Sequence, residues 1–283
     1  MFRWFQLVSA APHRAFAIAA LVALFALCAA AAGAAGAEAI IAAHYDAPVD
    51  RYGHFALGRP HEYARLTART DSGRELSLQL PDDEVFEDLE PRLVRLAADD
   101  PQEILAIVSQ REKGSRLVMI GLRAKRLEIT AQSAAIGTPM RWLNPVGVAD
   151  LDSDGRAEIA AVITPHVGGR LKVFRREGSD LLEIAALDGF SNHVYGSPEL
   201  ALSTVVSIAD RMYLLVPDTT RRQLRIVGMN GEQLLDAGRC PLAAPLTGAV
   251  KPVSESAVSV GLLTGRQLLI VDDCRKGTYE IRP

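Results

Sequence analysis

Val148-Ala-Asp-Leu-Asp-Ser-Asp-Gly-Arg-Ala-Glu-Ile-Ala160 is the stretch that decides the fold. Asp150, Asp152 and Asp154 alternate, Gly155 follows at once, and Glu158 closes the run. Carboxylates at every second position ahead of a glycine line the concave side of a tight loop with oxygen, the donor set of a hard cation. Gly155 permits a sharp turn that a Cβ would obstruct. The carbonyl of Arg156 and the carboxylate of Glu158 can complete the shell, and calcium, with six to eight flexible oxygen ligands, suits it. An EF-hand begins with the same spacing but needs a bidentate Glu at the twelfth position between two helices. Counted from Asp150, that position is Ala161. The flanks are not helical either: Pro145–Ala149 is short and apolar, and 158–164 is rich in β-branched residues, so the loop joins two strands.

In this context the stretch resembles the FG-GAP/VCBS-type repeat, the calcium-loop blade of integrin-α-like β-propellers. The family pattern, Asp-x-Asp-x-Asp-Gly-x-x-Asp before a short apolar strand, is matched at Asp150, Asp152, Asp154 and Gly155, with Glu158 in the last place. The resemblance covers residues 145–175. It implies an all-β fold, a single β-propeller, and a calcium site whose role is to brace its blade.

Faint repeats extend the reading. Val94–Asp99, Glu103-Ile104, Gly114–Val118 and Leu127–Ile129 lie over Val146–Asp150, Glu158-Ile159, Gly168–Lys172 and Leu182–Ile184. This second copy has lost its metal loop, since Asp99-Asp100-Pro101 is short and lacks the glycine. Further copies show at 205–227, at 258–271 and, most weakly, at 63–80. A spacing of about 41 to 55 residues suits four-stranded blades, and five of them fit the chain. Six would be unusually short, and a β-sandwich is the alternative architecture. Turn signals at Asp71–Gly73, Gly168-Gly169, Asn230-Gly231 and Thr264-Gly265 punctuate the strands. No segment reads as an amphipathic helix. In the best blade the strands fall at 146–149, 158–164, 170–175 and 180–186.

The amino terminus reads as an address. Arg3 and Arg14 precede an apolar run from Ala15 to Gly33, and Ala35-Gly36-Ala37 supplies the small residues that a signal peptidase reads. Residues 1–37 are therefore expected to be a signal peptide of a periplasmic or secreted protein. The alternative is an uncleaved anchor, the only expected membrane contact. Leu27 is too bulky to make Cys28 a lipoprotein cysteine. Without residues 1–37 the 31 basic residues become 29 against 34 acidic, and the net charge moves from −3 to −5. That balance excludes the basic stripe of a nucleic-acid binder. The mature chain is long enough for one substantial core and is expected to be a monomer. Cys240 and Cys274 remain, either as a disulfide or as two buried thiols.

Up-and-down topology places the acidic loop on one face of the propeller. The 165–169 turn and the connections 131–145 and 187–202 go to the other. That second face gathers Arg141, Trp142, Asn144, His166, Asn192, His193, Asp218 and Arg221. They read either as a binding surface for a protein or glycan of the cell envelope, or as turn caps and filler between blades. No nucleophile elbow, zinc-binding His pair or P-loop is present. His44, His54 and His61 are scattered, and Ser191 beside His193 does not make a triad. The expected function is a non-catalytic binding or scaffolding module. The alternative is a secreted hydrolase or lyase on the same fold.

Overall fold

Every strand of the acidic-loop unit appears where the sequence puts it; three are longer than expected, and the second ends one residue early, at Ile163. The computed structural model describes residues 38–275. The expected signal segment, 1–37, and residues 276–283 lie outside the described residues. Strand accounts for 57% and helix for 2%, so the fold is all-β.

The chain runs through five antiparallel meanders. The first holds β1 (Ile40–Pro48), β2 (Tyr63–Thr70) and β3 (Glu75–Gln79), followed by the short β4 (Glu84–Phe86). The second holds β5 (Arg92–Val94), β6 (Glu103–Gln110), β7 (Gly114–Arg123) and β8 (Arg126–Gln132). The third, which carries the acidic loop, holds β9 (Leu143–Ala149), β10 (Glu158–Ile163), β11 (Arg170–Glu177) and β12 (Asp180–Asp188). The fourth holds β13 (Thr204–Ile208), β14 (Arg211–Pro217), β15 (Gln223–Asn230) and β16 (Gln233–Pro241). The fifth has three strands, β17 (Leu246–Ser254), β18 (Ala257–Leu262) and β19 (Gly265–Ile270), and ends in the single-turn helix α1 (Val271–Arg275).

Two features differ from five separate blades of four strands. Hydrogen bonds join the first three meanders into one twelve-stranded sheet, through β4 and through a lone parallel bridge between Asp180 and Gln132. Among the described residues the fifth meander has no fourth strand, and the strands do not close into a barrel.

The packing follows from the alternation of side chains along each second strand. β10 is buried along its whole length, as an apolar run covered on both faces must be. Its Ile159, Ala161 and Ile163 join Leu105, Ile107, Leu117 and Met119 of the second meander. Its Ala160 and Val162 join Leu214, Val216 and Val227 of the fourth. β14 repeats the arrangement one step on, with Leu214 and Val216 towards the third meander and Tyr213 and Leu215 towards the fifth. β6 does the same between the first and third. β18 does not: Val258, Val260 and Leu262 face the fourth meander, but its other face carries Ala257, Ser259 and Gly261. On the neighbouring β19, Leu268 and Ile270 are exposed.

Of the two cysteine readings, the bridge is the one formed. Cys240 on β16 and Cys274 on α1 are disulfide-bonded with Cα atoms 4.9 Å apart, which pins the end of the fifth meander to the fourth. Among the described residues no helix is long and apolar enough to cross a membrane.

Candidate functional site

The acidic loop spans the turn from β9 to β10, whose register sets Glu158 opposite Ala149. Ser153 and Gly155 take positive φ angles of 67° and 89°, which curl the backbone inward; glycine suits the second. Asp150 and Asp152 accept hydrogen bonds from the Asp154 and Gly155 amides at 2.9–3.2 Å. Carboxylate oxygens of Asp150, Asp152 and Glu158 lie within 4.8 Å of one another. The structure brings these three of the expected ligands together. Asp154 is not part of the cluster; its Oδ1 accepts the Arg156 amide at 2.8 Å. The described side-chain contact of Arg156 is with Asp100, 3.9 Å away in the corresponding turn of the second meander.

Glu158 is fully buried. Burial raises its carboxyl pKa, the Leu151 amide opposes that, and Asp152 raises it further. The sequence reading missed the group that compensates this charge. Arg175 on β11 reaches Asp152 at 2.5 Å and Glu158 at 3.3 Å, and extends to Glu232 in the β15–β16 turn at 3.7 Å. Three oxygen donors fit a hard cation such as calcium, but Arg175 shares two of them and must yield ground to an ion.

The second cluster forms where the turn after β10 meets the connections before β9 and after β12. Trp142 and the His166 ring stack with planes 4° apart at 6.1 Å, and His193 packs against both. The His193 Nε2–H donates to the Ser197 carbonyl at 2.9 Å, because a carbonyl only accepts. His193 Nδ1 is then the acceptor, and His166 Nε2–H donates to it at 2.7 Å. Burial, the His193 ring, His54 and Arg221 push the pKa of His166 down to about 3. Burial likewise lowers His193 to about 4, against the pull of the Ser197 carbonyl and with help from Arg221. The pair is neutral at pH 7.

His54 belongs to this cluster, which no spacing in the sequence indicates. Buried Glu62 accepts the backbone amides of Tyr52, Gly53 and His54 at 2.9–3.2 Å and so shapes their loop. That loop delivers His54 Nδ1 to the fully buried Glu87 at 2.9 Å. Glu87 also accepts Ser109 Oγ at 2.7 Å and the Ala56 amide at 3.1 Å, while its backbone carbonyl accepts Trp142 Nε1–H at 2.9 Å. Tyr195 packs edge-on against His54 and His166, and its hydroxyl donates to the His54 carbonyl at 2.6 Å.

The eight residues assigned to a binding face divide by burial. Trp142, Asn144, Asn192 and His193 are buried and cannot meet a partner directly. Asn144 and Asn192 brace the crossover: each Nδ2 donates to the other residue's carbonyl at 3.1 Å, and further to Leu200 O and Ser203 Oγ. Asp218 caps its turn through the Arg222 and Gln223 amides. Arg141, His166 and Arg221 keep partial exposure, and the well-exposed Tyr195 packs against His166. Comparison of the chain with protein-family models and with curated proteins finds no match.

Proposed function

We propose that the chain is an exported, non-catalytic binding module of the cell envelope. In this reading it is a five-unit β-propeller of the FG-GAP/VCBS type, braced by one calcium ion. One observation carries it: carboxylates of Asp150, Asp152 and Glu158 converge within 4.8 Å in the loop between the first and second strands of a four-stranded meander. The alternating allocation of β6, β10 and β14 side chains to the cores on either side supports blade-like stacking. The Cys240–Cys274 bridge supports an oxidising compartment.

The ion's part is structural. Asp150, Asp152 and Glu158 would hold it, it would supply charge neutralisation to the loop, and Arg175, now on Asp152 and Glu158, would have to give up part of that contact. Recognition falls to the opposite cluster, where Tyr195, His166 and Arg221 reach solvent, with Arg141 next to Trp142 in the chain. Calcium is expected to raise the melting temperature of the disulfide-bonded chain, by roughly RT ln(1 + [Ca²⁺]/Kd) in stability. Asp152→Ala removes the rise. A melting curve unchanged between millimolar calcium and chelator sinks the calcium brace. A pull-down from envelope extract that captures no specific protein or glycan sinks the binding role.

A further inference from the structure

Two of the gaps between meanders are built on one plan and filled differently. β15 and β16 repeat β11 and β12 in register, down to the bulge, which falls at Ile226/Val227 in one pair and at Val173/Phe174 in the other. In that register Lys172 answers to Arg225 and Glu183 to Asp236. Both couples are ion-paired, at 2.6 Å and 3.1 Å. Where the fourth meander meets the third, the space around the pair is full. Arg225 is buried, lies 4.1 Å above the Phe190 ring, and donates through Nη1 to the carbonyls of Asp188 and Gly189 at 3.1 Å and 3.4 Å. Phe190 is fully buried in turn.

Where the third meander meets the second, the corresponding space is open. The place of Phe190 goes to Ile136: Phe190 N–H donates to the Gly169 carbonyl and Ile136 N–H to the Ser115 carbonyl, both at 3.0 Å. The bulge at Met119/Ile120 matches the one at Val173/Phe174 in the same alignment. The place of Arg225 goes to Lys172. A ring and a guanidinium plane are thus both shortened, and a cleft of about 470 Å³ lies there. Pockets for small ligands run to roughly 300–1,000 Å³. Ile136, Phe174 and Leu181 give the cleft apolar walls, and Lys172 and Glu183 line it with charge. Solvent reaches it, since the Lys172 and Glu183 side chains are 26% and 39% exposed. The Ala134 carbonyl, which answers to that of Asp188, accepts from Ser133 Oγ at 3.0 Å. The Lys172 ammonium has three donors, and its described contact is with Glu183.

We propose that this cleft docks an aromatic residue of a partner peptide. The chain's own Asp188-Gly189-Phe190 shows what such a gap accepts: a ring against the apolar walls, and the carbonyls of the two preceding residues on the cation. Lys172, oriented by Glu183, supplies a charge complementary to both the negative face of the ring and the carbonyl dipoles. The walls supply the burial on which an aromatic anchor depends. None of the lining residues belongs to the acidic loop or to the histidine cluster, so this is a second site and needs neither of those readings.

The probe is the acetylated and amidated peptide Leu-Asp-Gly-Phe-Ser, a copy of residues 187–191. Its control carries alanine for phenylalanine. Each is titrated into the intact, isotope-labelled, disulfide-bonded chain with amide resonances as the readout, so affinity and location come from one experiment. Saturable shifts centred on Ile136, Lys172, Phe174 and Leu181 are expected with the phenylalanine peptide, at a dissociation constant on the order of 1 mM. The control is expected to produce none. Ile136→Phe supplies the missing ring from within and is expected to weaken binding at least tenfold. Lys172→Gln alters a part-exposed side chain, is expected to fold and to bind several-fold more weakly, and decides the matter if Ile136→Phe does not fold. The site is overturned by an absence of saturable shifts, by shifts centred elsewhere, by equal binding of the control, or by wild-type affinity in either folded variant. Calcium-dependent melting and the capture of an envelope partner are separate readouts, so the readings fail separately.

Discussion

At the scale of single residues, charge and burial separate the two clusters. The acidic loop is half exposed and internally compensated by Arg175, while the His166–His193 pair is sunk beside Trp142 and kept neutral. This neutrality has a pH signature. Both histidines hold folded-state pKa values, about 3 and about 4, below the 6.5 of the unfolded chain. Below pH 6.5 the unfolded state therefore binds more protons, and stability falls as the pH drops towards 4. The expected slope is about 1.4 kcal/mol per pH unit for each histidine. Urea titrations at pH 7, 6 and 5 check it, and the slope should largely vanish in a His166→Gln/His193→Gln variant. The sequence named both histidines but not their contact, because a separation of 27 positions carries no trace of a 2.7 Å hydrogen bond. His54 and Glu87 were silent for the same reason. Their pairing depends on a loop shaped by Glu62, not on any local pattern.

At the scale of elements, the strands are legible wherever both faces are covered. The apolar runs Ile104–Val108, Ile159–Ile163 and Leu214–Val216 fall in β6, β10 and β14, the strands that serve two cores. Strands with one wet face, such as β1 and β17, left no clear signal. The connections are held as tightly as the strands. The Gly169 carbonyl accepts the Gly189 and Phe190 amides at 3.0 Å, and a Cβ on Gly169 would stand 1.8 Å from the Phe190 carbonyl oxygen. Gly169→Ala must push the crossover off the sheet. A loss of roughly 1–3 kcal/mol is expected by chemical denaturation, with disturbance centred on Phe190–His193 in amide exchange. The sequence marked Gly168-Gly169 only as a turn. The close approach of a distant backbone is what demands glycine at the second position.

At the scale of the whole molecule, backbone and side-chain links tie neighbouring meanders into a series. The Ala157 amide donates to the Leu96 carbonyl at 2.6 Å, Arg175 reaches Glu232, and the Cys240–Cys274 bridge pins α1 to β16. The bridge closes a separation of 34 residues. Its removal by Cys274→Ser is expected to cost about 2–4 kcal/mol, read as a fall in the urea midpoint that reducing agent reproduces in the wild type. Loss confined to the fifth meander would show as a separate early transition by tryptophan-independent probes such as amide exchange, since Trp142 lies in the third. By itself the sequence determined the all-β class, the strands of the acidic-loop unit, the oxygen-rich loop and the pair of cysteines free to bridge. Each of these is written in residues close together or in the period of two that a covered strand imposes. Only the tertiary structure decided that Arg175 reaches into the acidic loop, that half of the expected binding face is buried, and that the first three meanders share one sheet. These are contacts between segments distant in the chain, set by how the sheets pack, and no local pattern of residues encodes them.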